Sequence, residues 1–194
     1  MRWVLAALLA FCLSGCASVP LRTMYNLWNF DPWSSDFREW RAGARVPLAG
    51  AGALKPQIRM TIATWTDEKK DKREEIFVLL PTTEPADLQP LAGEMRTGYL
   101  LSAYRIDPMD YARLSALRTR IAASKTAGGP QLHGSLAISA SACGGMASVP
   151  KAGPFLVSTY LLVDRKDGYN PVIVDYDLAD AIRKAPPAPA KDAC

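Results

Sequence analysis

Apolar and polar residues alternate with a period of two along most of this chain. The first such segment runs from Trp40 to Val46 and ends at Pro47. Because successive side chains of a strand point to opposite faces, this alternation predicts a strand with one buried and one solvated face. Six further strands are predicted on the same grounds, near residues 58–66, 76–80, 99–106, 132–140, 155–163 and 172–176.

One segment changes to the period of a helix. It begins with Asp107-Pro-Met-Asp, in which the first aspartate is a favourable N-cap and the proline suits the first helical position. The helix is predicted to end near Ser124, and its apolar stripe consists of Tyr111, Leu114, Leu117 and Ile121. We expect this stripe to pack on the strands, with Arg113 and Arg120 pointing outward.

These elements predict a mainly β fold, an antiparallel β-sandwich of about seven strands with one inserted amphipathic helix. Sheets with one wet side must stack to bury the other side. The β-sandwich domain is predicted to span residues 41–184 and to end in a short helix capped by Asp177. A Pro/Ala-rich tail, residues 185–194, is expected to be extended.

Two connections between the predicted strands are polar. Nine consecutive charged residues, Asp67 to Glu75, comprise four basic and five acidic side chains and are predicted to form the solvated tip of a hairpin. The segment from Pro81 to Pro90 is predicted as a loop.

Residues 16–40, ahead of the domain, form a tether rich in aromatic residues, namely Tyr25, Trp28, Phe30, Trp33, Phe37 and Trp40. One interpretation is that the tether docks on the domain and buries its rings there. The other is a collar at a membrane interface, where Trp and Tyr favour the headgroup region. Docking is the favoured interpretation.

Residues 1–15 have the pattern of a secretory signal peptide: a positive start at Arg2, an apolar run and a small-residue exit. The exit, Leu13-Ser14-Gly15-Cys16, resembles the lipobox of bacterial lipoproteins. The resemblance implies cleavage before Cys16, a diacylated thiol and an acylated amine, which together hold a protein stably on a bilayer. Ala17-Ser18 lacks the aspartate of an inner-membrane retention signal. We therefore expect an anchor in the outer membrane, with the domain facing the periplasm.

A second resemblance covers much of the chain after Cys16. The segments Ser18–Tyr25, Gly153–Leu161 and Asp175–Leu178 resemble those of small proteobacterial envelope lipoproteins, which bring no assigned activity. In predicted architecture the chain is also similar to the outer-membrane lipoprotein of type VI secretion machines, a short tether and a β-sandwich with an added helix. Both resemblances imply a fold and a place in the cell, and neither fixes a function.

Of the four cysteines, Cys12 leaves with the signal peptide and Cys16 is the expected lipidation site. Cys143 and Cys194 remain, an even pair that predicts one disulfide in an oxidising compartment. Two separate thiols are the alternative, since Cys194 is the last residue and chain ends are often loose.

The sequence offers no complete catalytic or metal-binding set. His133 is the sole histidine and is predicted on the serine-bearing face of a strand, without a nucleophile elbow or a placed acid. Ser148-Val-Pro-Lys151 matches the Ser-x-x-Lys of penicillin-binding proteins, but a proline interrupts it and the companion motifs are missing. Asp175, Asp177 and Asp180 are too few for a calcium loop, and no cofactor motif is found.

The net charge of +4, which loss of Arg2 with the signal lowers to +3, is too slight to indicate nucleic acid as a partner, and an exported lipoprotein is not expected to meet any. We expect a non-enzymatic, lipid-anchored protein, without cofactor or metal, that binds or scaffolds another envelope protein. The alternative is a carrier or sensor of an apolar ligand such as a lipid, held between the sheets or beneath the helix.

Overall fold

The computed structural model describes residues 35–48, 55–66, 71–126, 132–143 and 153–184, with the main chain alone at residues 55, 56, 126 and 140–143. Seven strands lie in these ranges, close to the positions that the alternation predicts. They are β1 (Arg41–Pro47), β2 (Lys55–Trp65), β3 (Arg73–Thr82), β4 (Tyr99–Ile106), β5 (His133–Cys143), β6 (Leu156–Leu162) and β7 (Asn170–Asp177).

The seven strands form one curled sheet in the order β5-β2-β3-β4-β1-β6-β7, and every neighbouring pair is antiparallel. The predicted mainly β fold is confirmed. A division into two stacked sheets is not seen, because hydrogen bonds join all seven strands. The apolar side of the sheet is instead covered by a helix, which removes the need for a second sheet.

Three helices and two 3₁₀ turns complete the described part of the chain. Between β3 and β4, where the sequence predicts only a loop, the chain forms α1 (Pro85–Leu88) and a 3₁₀ turn (Gln89–Glu94). We call residues 83–98 the β3–β4 connection. A second 3₁₀ turn (Pro108–Asp110) leads into α2 (Tyr111–Thr126), and α3 (Leu178–Lys184) follows β7.

Both predicted helix caps are present. The Asp107 carboxylate accepts a hydrogen bond from the Met109 amide at 2.9 Å, and the Asp177 carboxylate accepts one from the Asp180 amide at 3.1 Å. Such bonds satisfy amides that the first turn of a helix leaves without an internal partner. The sequence therefore located the starts of α2 and α3 to within a few residues.

The apolar stripe of α2 packs on one side of the sheet, which we call the helix face. Leu117, in the middle of the stripe, is only 1% exposed. This layer is the main core, and its buried members are Trp40, Ala42, Ala44, Ile58, Met60, Ile62, Phe77, Leu79, Tyr104, Ile106, Leu114, Leu117 and Ile121. The side chains of α2 and of the sheet thus pack together in one apolar layer.

Charged side chains also hold α2 to the sheet. The predicted charged tip ends earlier than expected, because β3 begins at Arg73 and Glu75 pairs with Ile62 of β2. Glu75 lies 3.0 Å from Arg120 and 3.5 Å from Arg113. These two arginines are partly exposed, in line with their predicted outward position, but both lie close to the carboxylate of Glu75 on β3.

Several predicted features lie outside the described residues: the signal peptide predicted at residues 1–15, the predicted lipidation site Cys16, most of the aromatic tether, Ser148–Lys151 and the tail with Cys194. Two aromatic residues at the end of the tether are described. Trp40 is buried in the main core, and the Phe37 ring packs 5.8 Å from that of Tyr111. In the described ranges, no helix combines the length and the apolar content that crossing a bilayer requires.

Candidate functional site

The other side of the sheet, which we call the far face, carries two buried arginines on β1. Arg45 is 1% exposed, and its Nη1 donates to the Glu94 main-chain oxygen at 3.0 Å and lies 3.2 Å from the Glu94 carboxylate. Its Nη2 donates to Ser158 Oγ at 2.9 Å and to Asp175 Oδ1 at 2.8 Å. The guanidinium thus joins β1 to the β3–β4 connection, β6 and β7.

Asp175 reaches Arg45 because of a β-bulge in β7. Ser158 of β6 faces both Val174 and Asp175, where regular pairing would place one residue. Asp175 has a φ of +49°, a left-handed conformation that Asp tolerates better than most residues. The bulge turns the carboxylate toward β1, and Arg96 binds it from the solvent side at 3.0 Å.

The electrostatics of this cluster keep its charges paired. Burial raises the pKa of Asp175, but hydrogen bonds and charges from Arg96 and Arg45 outweigh burial and hold the pKa below the ordinary 3.8. Burial also raises the pKa of Tyr160 to about 12, assisted by the hydrogen bond that its hydroxyl donates to Glu94 at 2.8 Å. At neutral pH, Asp175 is ionised and Tyr160 is protonated.

A second cluster surrounds Asp87 of α1, whose side chain is 0% exposed. Its carboxylate lies 2.8 Å from Arg41 Nε and accepts hydrogen bonds from Arg165 and Thr82 at 3.0 Å each. Burial raises the pKa of Asp87, but the bonds from Arg41, Thr82 and Arg165 outweigh it and lower the pKa. Tyr169 adds a bond from its hydroxyl to the Asp87 carbonyl oxygen at 3.1 Å.

The two clusters fix the β3–β4 connection on the far face. Arg41, Gly43 and Arg45 are alternate residues of β1, and Leu91 of the connection packs over Gly43 between the two arginines. A Cβ at Gly43 would lie 3.0 Å from Leu91 and 3.2 Å from Tyr160. Buried ion pairs with this many partners position backbone segments. Both clusters thus join the β3–β4 connection to β1 and its neighbouring strands.

The candidate residues of the sequence do not meet in one place. The His133 ring stacks on Trp65, with centroids 6.3 Å apart and planes at 22°. Beside this pair lies a surface cavity of about 210 Å³, lined by Thr64, Trp65, Asp71, Arg73, Arg120 and Leu132. Cys143 ends β5, but its side chain is outside the described part. The predicted disulfide with Cys194 therefore stays a prediction.

The three carboxylates near the C-terminus do not converge on one site, although Arg183 lies 3.9 Å from Asp177 and 3.7 Å from Asp180. Asp175 belongs to the Arg45 cluster, Asp177 accepts from the Phe155 amide at 3.0 Å, and Asp180 lies 2.8 Å from Lys184. Among the residues that the structure describes, no group of three or more His, Cys, Asp or Glu side chains is placed to hold a metal ion.

One surface of the far face is apolar and is not covered by any of the described residues. Ile76, Val78 and Leu80 are alternate residues of β3 and are 36–50% exposed; we call them the β3 stripe. They lie beyond the region that the β3–β4 connection covers. Single exposed apolar residues are common, but adjacent ones on one face of a sheet form a surface suited to contact with another molecule.

Arginines border the β3 stripe. Arg59 of β2 lies directly opposite Val78, and Arg105 of β4 lies opposite Leu80. Arg105 is bound to Glu84 at 2.7 Å, whereas in the described part Arg59 bonds only to Gln57 and to no carboxylate. The stripe is therefore apolar in its centre and basic at its border.

Sequence reasoning missed the two clusters and the stripe. The alternation with period two predicts Arg41 and Arg45 on the solvated face of β1, but both are buried. Their partners lie far away in the chain. The run Ile76–Leu80 is apolar throughout, so the sequence does not reveal that one of its faces is exposed.

Comparison of the chain with family models, curated proteins and solved structures finds no match.

Proposed function

We propose that this chain is a lipid-anchored, non-enzymatic protein of the bacterial envelope, held at the periplasmic face of the outer membrane, where it binds another protein through the β3 stripe. The anchor rests on Leu13-Ser14-Gly15-Cys16 and the signal pattern ahead of it. The observation that carries the binding role is the exposed stripe itself. The far face is otherwise closed over β4, β1 and β6 by the β3–β4 connection.

Charge indicates what kind of partner the stripe fits. Its centre is apolar, and Arg59 at its border lacks a carboxylate partner within the described part of the chain. A protein surface with an apolar centre and Asp or Glu at its rim is complementary to this arrangement. The partner is therefore expected to be a folded protein with an acidic rim.

The paired clusters support a binding role over catalysis. Catalytic acids and bases need a pKa matched to their task and access to substrate. Asp87 and Asp175 have lowered pKa values and face arginines that the fold requires. Their arrangement provides a rigid support beside the β3 stripe.

Site-specific photo-crosslinking in cells tests the proposal. A photoreactive residue is placed at Val78 of the full chain, and the matched control carries it at Met109, which is 89% exposed but lies away from the stripe. We expect a discrete crosslinked protein from position 78 and none from position 109. Arg59→Glu should lower the yield at position 78 several-fold, because it repels an acidic rim.

Two results would contradict the proposal. One is the same set of products from positions 78 and 109, which marks nonspecific contact. The other is a crosslinked lipid without any protein from position 78, which favours a carrier of apolar ligands.

A further inference from the structure

In the described part of the chain, β5 and β7 are the two outer strands of the sheet, and they differ in the features that protect a sheet edge. An edge strand presents unpaired main-chain N–H and C=O groups, and natural proteins block such edges with charges, prolines, bulges or twist. β7 carries these features: Pro171 near its start, register shifts against β6, and the left-handed Asp175. Strand addition at this edge is therefore obstructed.

β5 carries none of these features. Its sequence His-Gly-Ser-Leu-Ala-Ile-Ser-Ala-Ser-Ala-Cys contains no Lys, Arg, Asp, Glu or Pro. It pairs with β2 in unbroken register from Trp65↔His133 to Lys55↔Cys143. The only other strand of the sheet without a charged residue is β6, which lies between β1 and β7. β5 thus has the composition of an interior strand at the position of an edge.

Within the described residues, the main core is also open at β5. On β2, Ile58, Met60 and Ile62 are buried on the helix face. Their β5 neighbours Leu136 and Ile138 are only half-buried, although they pack against the same core. One more strand beside β5 would cover them.

We propose that β5 is a self-association surface, on which β5 of a second copy of this chain pairs antiparallel. A two-fold axis perpendicular to the sheet keeps equivalent faces on the same side. Leu136 and Ile138 of the two copies then meet on the helix face. Ser135, Ala137 and Ser139, which are exposed and uncharged, meet on the far face.

Two copies of β5 are compatible as neighbouring strands. Like charges directly opposite each other destabilise a strand pair, and β5 brings none. Each copy supplies the alternation that the other requires: aliphatic residues on one face and small neutral residues on the other. The pair gives one sheet that is continuous across two molecules.

The proposal is independent of the β3 stripe, so the two can fail separately. Ala137→Lys places a charge on the edge, near its symmetry mate. The control is Thr61→Lys on β2, which lies directly opposite Ala137 on the same face but leaves the edge unchanged. Sedimentation equilibrium of the full chain in density-matched detergent measures the dimer dissociation constant, and circular dichroism checks folding.

We expect dimers for the wild type and Thr61→Lys, and a dissociation constant raised about tenfold or more for Ala137→Lys. Hydrogen exchange of the wild type provides a readout that needs no variant. Among residues 134–139, the amides that point away from β2 should become more protected as protein concentration rises, while those of β7 should not change. A wild type that stays monomeric, an Ala137→Lys variant that dimerises equally well, or β5 exchange independent of concentration would overturn the proposal.

Discussion

Arg45 and Asp175 are 130 positions apart in the chain, and a 2.8 Å ion pair joins them across β6. The pair forms because a bulge in β7 turns the carboxylate inward, opposite Ser158. It closes the far face over the same strands that Leu91 and the β3–β4 connection cover. The first prediction follows from this contact.

Asp175→Asn removes the charge but keeps a residue that tolerates a positive φ. Arg45 would then be buried with Glu94 as its remaining acidic partner. We expect a loss of about 2–3 kcal/mol in the free energy of unfolding, measured in urea. Asp180→Asn, which breaks an exposed pair with Lys184, is the control and should cost less than about 1 kcal/mol. Equal effects of the two variants would show that the Arg45 cluster does not support the fold.

Acid should lower the free energy of unfolding by protonating carboxylates that are ion-paired or hydrogen-bonded in the folded state. Asp87, Asp175 and Asp177 have lowered pKa values in the folded state. A carboxyl with a lowered folded pKa stabilises the fold above its unfolded pKa, and this stability is lost as pH falls through the folded pKa. Urea unfolding should therefore give a nearly constant free energy between about pH 7 and 5 and a decline below about pH 4.

The Asp87→Asn variant isolates the contribution of Asp87 to the loss of stability in acid. The variant should be less stable than the wild type at neutral pH and show a shallower decline in acid. A decline as steep as that of the wild type would mean that Asp87 does not contribute to acid sensitivity.

Gly43 permits the close approach of Leu91 to β1, and a methyl group there has no space. Gly43→Ala should lower the free energy of unfolding by about 1–3 kcal/mol, because Leu91 or Tyr160 must shift. Gly93→Ala is the matched control in the same region, since a Cβ there meets nothing within 4 Å. Calorimetry compares the two. A neutral Gly43→Ala would contradict the tight packing of the β3–β4 connection.

Leu117→Ala tests whether α2 is docked on the helix face. The side chain is fully buried, so truncation should cost about 2–5 kcal/mol. Met109→Ala, at an exposed position before the helix, should change stability by less than about 0.5 kcal/mol. Chemical denaturation measures both, and a neutral Leu117→Ala would exclude docking.

Local patterns were enough to predict the strands and α2. Alternation such as that of Ile58, Met60 and Ile62 reports burial directly, and the Asp107-Pro start is a local signal. Strand order was not predictable, because β1 lies between β4 and β6, and nothing near Arg41 or Arg45 indicates those neighbours. The charged clusters could not be predicted for the same reason, since they depend on a bulge in β7 and on the β3–β4 connection, which the sequence predicts as a loop. The uncovered β3 stripe could be identified only once the β3–β4 connection was placed.

Metabolic labelling with an alkyne fatty acid tests the lipid anchor, on which the proposed location depends, more directly than any other measurement. The full chain is expressed in a bacterium, and the wild type is compared with Cys16→Ala. The wild type should be labelled and recovered with the outer membrane, and Cys16→Ala should be unlabelled and accumulate as uncut precursor or leave the membrane. Labelling of Cys16→Ala equal to that of the wild type, or an unlabelled wild type, would contradict the anchor and the envelope function built on it.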